Sequence, residues 1–189
     1  MGGATNGIGA LPGAVTGAIL GGALGAYIDA NSNIVDTLKN RGVKLFILGD
    51  QVMFVIPSSR LFYELTPSIR YGAYPTLDLI ACLIGNYLNM SVKVAAYTSD
   101  SGCAAVDQAL SQQQADRVVR YLWKKCINTR LIYAVGYGGT HLVTRNTLGW
   151  ACSDNFRIEI TFEKLPGCGC PELPCYSPCC EPPCRVCCE

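Results

Sequence analysis

Apolar and polar positions divide the 189-residue chain into three stretches with different periods. From Gly7 to Ile28 no charged residue occurs, and Gly13, Gly17, Gly21 and Gly25 recur at every fourth position. On a helix these glycines form one smooth face, a spacing that lets a second helix approach closely. The 18 residues from Leu11 to Ile28 reach the lower limit for crossing about 30 Å of hydrocarbon. The alternative is a flexible Gly/Ala-rich leader, because each helical Gly costs about 1 kcal/mol relative to Ala.

The middle stretch changes period several times. Ile34 to Asn40 predicts a short polar helix ending at Gly42, and Val43–Leu48 and Val52–Ile56 predict two strands joined at Gly49-Asp50, a dipeptide suited to a tight hairpin turn. Val52, Phe54 and Ile56 alternate with Met53 and Val55, which predicts a strand covered on both faces and stopped by Pro57. Leu77, Ile80, Ala81, Ile84 and Leu88 keep helical spacing behind Pro75, a residue tolerated in the first turn. Val92 to Ala96 predicts a buried strand that delivers Tyr97-Thr98-Ser99-Asp100 to a loop at its C-terminal end. A second helix is expected to begin near Ser111, where Ser111 and Gln114 have capping-box spacing and Ala115, Val118, Val119 and Leu122 form the inner stripe. Ile132–Val135 and Phe156–Phe162 complete the strands, with the turn Gly136-Tyr137-Gly138-Gly139 between them. The order β-β-α-β-α-β-β predicts an α+β sandwich with helices on one face of the sheet. After Pro166 no hydrophobic period remains, and Gly, Pro and Cys dominate.

Composition adds boundaries to this outline. Half of the residues are hydrophobic and 15% are charged, enough for one core with two appendages: a Gly/Ala-rich segment over 1–40, a domain over 41–166 and a Cys/Pro-rich tail over 167–189. A net charge of +1 gives no broad field to attract nucleic acid or anionic lipid, so nucleic-acid binding is set aside. Of 12 cysteines, eight crowd the tail: Cys168, Cys170, Cys175, Cys179, Cys180, Cys184, Cys187 and Cys188. They suit disulfides in an oxidising compartment or, through the spacings Cys180 to Cys184 and Cys184 to Cys187, a structural zinc site. Disulfides are the first expectation, zinc the second, and intermolecular or unpaired thiols the third. Cys82 falls near the inner stripe of its helix and reads as a small buried hydrophobe, whereas Cys103 and Cys152 fall in loops. The single histidine, His141, follows the glycine turn and has no partner that would make a Cys-His hydrolase, so no enzymatic activity and no cofactor are expected.

The motifs GDQVMFVIPSSRLF, VKVAAYTSDSG, LSQQQADRVVRYL, GYGG and DNFRIEI occur in the order and spacing of the C-terminal peptidoglycan-associating domain of OmpA-like proteins, which the chain resembles over about two thirds of its length. The counterparts are Tyr97-Thr98-Ser99, Asp107, Leu110 to Ala115 and Asn155 to Glu159. The resemblance implies a mixed sheet and a cell-envelope location, periplasmic or at the outer membrane. It also likens the N-terminal glycines to the glycine-zipper segments found beside such domains. In the family, an Asp after the Thr and an Arg in the following helix hold the diaminopimelate of peptidoglycan, carboxylate to ammonium and guanidinium to carboxylate. Here these positions are Ser99 and Gln114, so both charges are absent. Asp100 and Asp107 stand nearby, Arg117 lies one helical turn beyond Gln114, and Arg157 matches a family arginine. The candidate ligand residues are therefore Thr98, Ser99, Asp100, Asp107, Gln114 and Arg157, with Gln114 as a helix cap and Asp107 as a turn residue on the alternative reading.

Three functions follow as expectations. The first is a structural subunit of an envelope assembly, such as the OmpA-like subunit of a type IVB (Dot/Icm) secretion system, whose partners are other envelope proteins. The second is a working peptidoglycan anchor with a rearranged pocket, and the third a metal or redox module in the cysteine tail. Export is expected to use a longer N-terminus or another route, because no Lys or Arg precedes Lys39, no Cys lies near the start and position 6 is Asn.

Overall fold

The computed structural model describes residues 23–49, 51–85, 90–125, 127, 132–144 and 152–164. Gly13, Gly17, Gly21, Cys126 and the eight tail cysteines lie outside these residues, so the zipper and tail expectations concern parts that are not described.

The chain enters through helices α1 (Ala23–Ala30) and α2 (Ser32–Asn40), then forms the hairpin β1 (Lys44–Leu48) and β2 (Gln51–Pro57). Gly42, at φ +82°, ends α2: Val43 N–H reaches back to the Leu38 carbonyl at 3.0 Å, the closing bond of a Schellman turn. A short α3 (Ser58–Leu61) and a 3-10 turn (Tyr71–Ala73) lead to α4 (Tyr74–Gly85), then β3 (Met90–Tyr97), α5 (Ala104–Trp123), β4 (Ile132–Gly136), α6 (Cys152–Asn155) and β5 (Arg157–Lys164). The sheet order is β1-β2-β5-β3-β4, with β3 and β4 parallel and all other neighbours antiparallel. The expected β-β-α-β-α-β-β order and mixed α+β architecture are what the chain adopts.

Even-numbered strand residues make the core. Val52, Phe54, Ile56, Val94, Ile158, Ile160 and Phe162 are fully buried and meet Leu77, Ile80, Ala115, Val118 and Leu122 of α4 and α5. The core also reaches back into the N-terminal segment, since Ile28, Val35 and Leu38 join it and the Tyr27 hydroxyl donates to the Leu83 carbonyl at 2.8 Å. No helix among the described residues is long and apolar enough to cross a membrane. A Cβ on Gly25, the one zipper glycine described, would meet nothing within 4 Å.

Three local expectations need correction. The second long helix starts at Ala104, two turns before Ser111, so Ser111 and Gln114 are interior helix residues and form no capping box. Ala104, Ala105, Gln108, Ala109 and Leu110 are strong helix formers, and Asp107 in the first turn accepts the Ser101 N–H at 2.9 Å, which closes the loop onto the helix start. The second correction concerns β2: Met53 and Val55 are only half-buried, because among the described residues the helices pack on one face of the sheet and the other faces outward. The third concerns Cys82, which is buried but takes part in a disulfide rather than packing as a free thiol, whereas Cys103 is free and exposed.

Candidate functional site

The end of β3 meets the start of α5 and the glycine turn after β4, and the three are held together by backbone contact that only glycine permits. A Cβ on Gly136 would stand 2.4 Å from the Gln112 nitrogen and 2.7 Å from its Cα, so α5 lies directly against the end of β4. Two glutamines and a serine of α5 then tie the turn. Gly136 N–H donates to Gln112 Oε1 at 2.8 Å, Gln108 Nε2 donates to the Gly136 carbonyl at 2.7 Å, and Gly138 N–H, in a left-handed residue, donates to Ser111 Oγ at 2.9 Å. Tyr137 N–H to the Ala96 carbonyl (2.9 Å) and Thr98 N–H to the Gly138 carbonyl (3.0 Å) carry the parallel pairing past the strand ends. The Tyr97-Thr98-Ser99-Asp100 loop is thereby fixed at the C-terminal edge of a parallel pair, where ligand sites of α/β sheets commonly lie.

The six candidate residues divide into two groups. Thr98, Ser99 and Gln114 are buried. Gln114 Nε2 donates to the Thr66 carbonyl at 2.9 Å, which ties α5 to the loop after α3. Gln114 Oε1 and Thr98 Oγ1 are buried without a hydrogen-bond partner among the described residues, and an unmatched polar atom of this kind costs about 1 to 3 kcal/mol. Asp107 is buried and engaged by the Ser101 N–H, and the exposed Asp100 accepts the Gly102 N–H at 2.9 Å in a local turn.

Arg157 stands apart from these. It alternates with Ile158 and Ile160, which line the core, so it projects on the opposite face of the sheet. Its Nε donates to Glu159 at 2.8 Å, one Nη donates to the His141 carbonyl at 3.2 Å, and the guanidinium lies 3.9 Å from the centre of the Tyr97 ring. Tyr97 in turn stacks on Tyr137 with centroids 5.0 Å apart, and His141 meets Tyr137 edge-on at 5.1 Å. Burial, reinforced by the Glu159 carboxylate, pushes the Tyr97 phenol well above its usual range, so it stays neutral. Asn155, fully buried, clips the neighbouring loop: its Oδ1 accepts Val143 and Thr144 N–H at 2.8 and 3.0 Å, and its Nδ2 donates to the Thr144 carbonyl at 2.9 Å. The Tyr97-Tyr137-His141-Arg157-Glu159 cluster escaped the sequence reading. Its one sequence signal is Arg157 and Glu159 two apart on a strand, which places opposite charges on one face.

Among the described residues no group of three or more His, Cys, Asp or Glu is placed to hold a metal ion. The arrangement offers hydrogen-bonding loops and an arginine neutralised by Glu159, and beside it the Thr140 hydroxyl lies 2.8 Å from His141 Nδ1.

The model of the OmpA family matches residues 61–154. The "Probable lipoprotein YiaD" of Escherichia coli is 30% identical over 74% of this chain and 64% of its own length, and the "Outer membrane porin F" of Pseudomonas fluorescens is 33% identical over 50% of this chain and 29% of its own. The chain thus spans less than two thirds of the length of either curated relative. The cell wall anchor of the T6SS from Pseudomonas aeruginosa superposes with a TM-score of 0.64 at 23% identity, covering 75% of this chain and 97% of that one. The periplasmic domain of Helicobacter pylori MotB superposes with a TM-score of 0.59 at 22% identity, covering 65% of this chain and 80% of that one, and at such identities both superpositions speak to the fold alone. Residues 61–154 thus carry the pattern of the OmpA family, and the mixed sheet they belong to is the one these solved structures share.

Proposed function

We propose that the chain is a non-enzymatic structural component of an envelope assembly, in which the OmpA-like domain docks against protein partners more than against cell wall. The observation that carries this reading lies at the two positions that the resemblance equates with the family's Asp and Arg: they are Ser99 and Gln114, and the Gln114 amide is spent on the Thr66 carbonyl. A zwitterionic ligand needs a carboxylate and a guanidinium facing it, and loss of such a charged pair costs about 2 to 5 kcal/mol, roughly thirtyfold to several thousandfold in affinity. Arg157 supplies no substitute, since it lies on the other face of the sheet and is paired with Glu159. The type IVB secretion-system subunit is the specific assembly we favour, with the glycine-zipper segment and the cysteine tail as further contact elements.

A second reading keeps peptidoglycan as the ligand. It is favoured by the two orphaned atoms, Gln114 Oε1 and Thr98 Oγ1, which a hydroxyl or amide of the glycopeptide would satisfy. Co-sedimentation of the full chain with isolated sacculi, beside a Ser99→Asp/Gln114→Arg variant, separates the two. Pelleting of the variant alone supports lapsed cell-wall binding; equal pelleting of both proteins overturns that reading in favour of the anchor.

A further inference from the structure

Along α5, on the side facing away from the sheet, a groove of about 490 Å³ runs between the helix and the loop that leads into α4. Its floor is aromatic: the rings of Tyr74 and Tyr121 lie 5.1 Å apart. Its rim is basic: Arg117, Arg120 and Lys124 are all exposed, and Trp123 beside them is 57% exposed. The three cations stand at i, i+3 and i+7, so they share one helical face and repel one another. Lys125 shows how a local acid neutralises such a charge, because it pairs with Asp78 at 2.7 Å while the Tyr121 hydroxyl donates to the same carboxylate at 2.6 Å. That engagement raises the Lys125 ammonium above its ordinary value and uses Asp78 up. Among the described residues Arg117, Arg120 and Lys124 make no ion pair. In a chain of net charge +1 this is a local concentration of uncompensated charge around an apolar floor.

We propose that this groove docks an acidic segment of a partner envelope protein, one that carries apolar side chains between its carboxylates. The argument is charge and shape complementarity. Seven helical residues span about 10 Å, which an extended peptide covers in about three residues. An extended segment that mixes carboxylates with apolar side chains therefore spans the rim, with carboxylates turned to the cations and an apolar side chain turned to Tyr74 and Tyr121. Arginine engages carboxylates in two-bond pairs, and exposed Trp and Tyr contribute large contact area at low entropic cost. A bilayer surface fits less well, because the Tyr74 and Tyr121 rings line a concavity beside the cationic face of α5 instead of projecting from the surface. This assignment supplies a partner class for the protein-docking reading above and rests on it. Sacculus sedimentation reports on the Ser99/Gln114 pocket and peptide binding on the groove, so each can fail without the other.

The test uses the full chain and a fluorescein-labelled peptide of repeated Glu-Glu-Phe, with the Gln-Gln-Phe peptide as its uncharged twin, read by fluorescence anisotropy. Binding of the Glu peptide is expected, with at least tenfold weaker binding to the Arg117→Glu/Arg120→Glu variant and to the Gln peptide. Both substitutions lie on the surface, so thermal melting followed by circular dichroism should not move. Flotation with phosphatidylglycerol vesicles and with phosphatidylcholine vesicles runs in parallel. Absence of peptide binding, equal affinity for the two peptides, or equal affinity of wild type and variant overturns the proposal. Variant-sensitive flotation with phosphatidylglycerol in the absence of peptide binding overturns it in favour of a membrane surface.

Discussion

Replacing Gly136 by alanine tests the central contact of the fold. A methyl group there would stand 2.4 Å from the Gln112 nitrogen, 2.6 Å from Ser111 Oγ and 2.7 Å from Gln112 Cα. Two of those atoms are helix backbone, which cannot swing aside as a side-chain tip can, so α5 must move off the end of β4. Overpacking of this kind costs about 1 to 3 kcal/mol. The displacement also strains the hydrogen bonds of Gly136 with Gln112 and Gln108 and of Gly138 with Ser111, each worth about 0.5 to 1.5 kcal/mol. The expected total is about 3 to 4 kcal/mol, a large part of the 5 to 15 kcal/mol typical of a domain. Equilibrium urea unfolding reads this as a lower midpoint at unchanged slope. Gly85→Ala is the matched control, because a Cβ there meets nothing within 4 Å, and as the last residue of α4 it should leave the midpoint unchanged or raise it. A Gly136→Ala midpoint indistinguishable from wild type would refute the claim that α5 is seated on β4 through this glycine.

Two further outcomes follow from the outer face of the sheet. Arg157→Ala leaves Glu159, only 18% exposed, without its partner and removes the guanidinium from Tyr97. The expected loss is about 2 to 4 kcal/mol in urea unfolding, and a loss below about 1 kcal/mol, the usual worth of a surface pair, would show that the ion pair is solvated. Tyr97, whose folded-state pKa is raised, contributes stability that is intact below its unfolded value near 10.0 and is lost as pH climbs above it. Wild type should therefore lose up to about 1.4 kcal/mol per pH unit above pH 10 through this residue. Tyr97→Phe should show a shallower alkaline decline, and identical declines would remove Tyr97 from the account.

Much of this domain is legible in the chain because period is a local property. Alternation placed β2 and β5, the Leu77-Ile80-Ala81-Ile84 stripe placed α4, and motif order placed the domain among OmpA-like proteins. What misled was also local. Ser111 and Gln114 have the spacing of a helix cap, yet the helix begins at Ala104, because Asp107 engages Ser101 across the loop and Ser111 is claimed by the turn after β4. The partner of Ser111, Gly138, is 27 residues away, so spacing within α5 could not reveal it.

The candidate pocket shows the same division. The sequence by itself determined that Ser99 and Gln114 carry no charge, since residue identity needs no coordinates. It also determined the type and order of the elements, because burial of one face imposes a period of two or about 3.6 wherever the chain folds. Only the tertiary structure decided that Gln114 turns to Thr66, that Arg157 lies over the Tyr97 ring, and that Gly136 is required by the closeness of a helix. The physical reason is that charge compensation and steric contact depend on distances between segments tens of residues apart, which the packed sheet and helices set together.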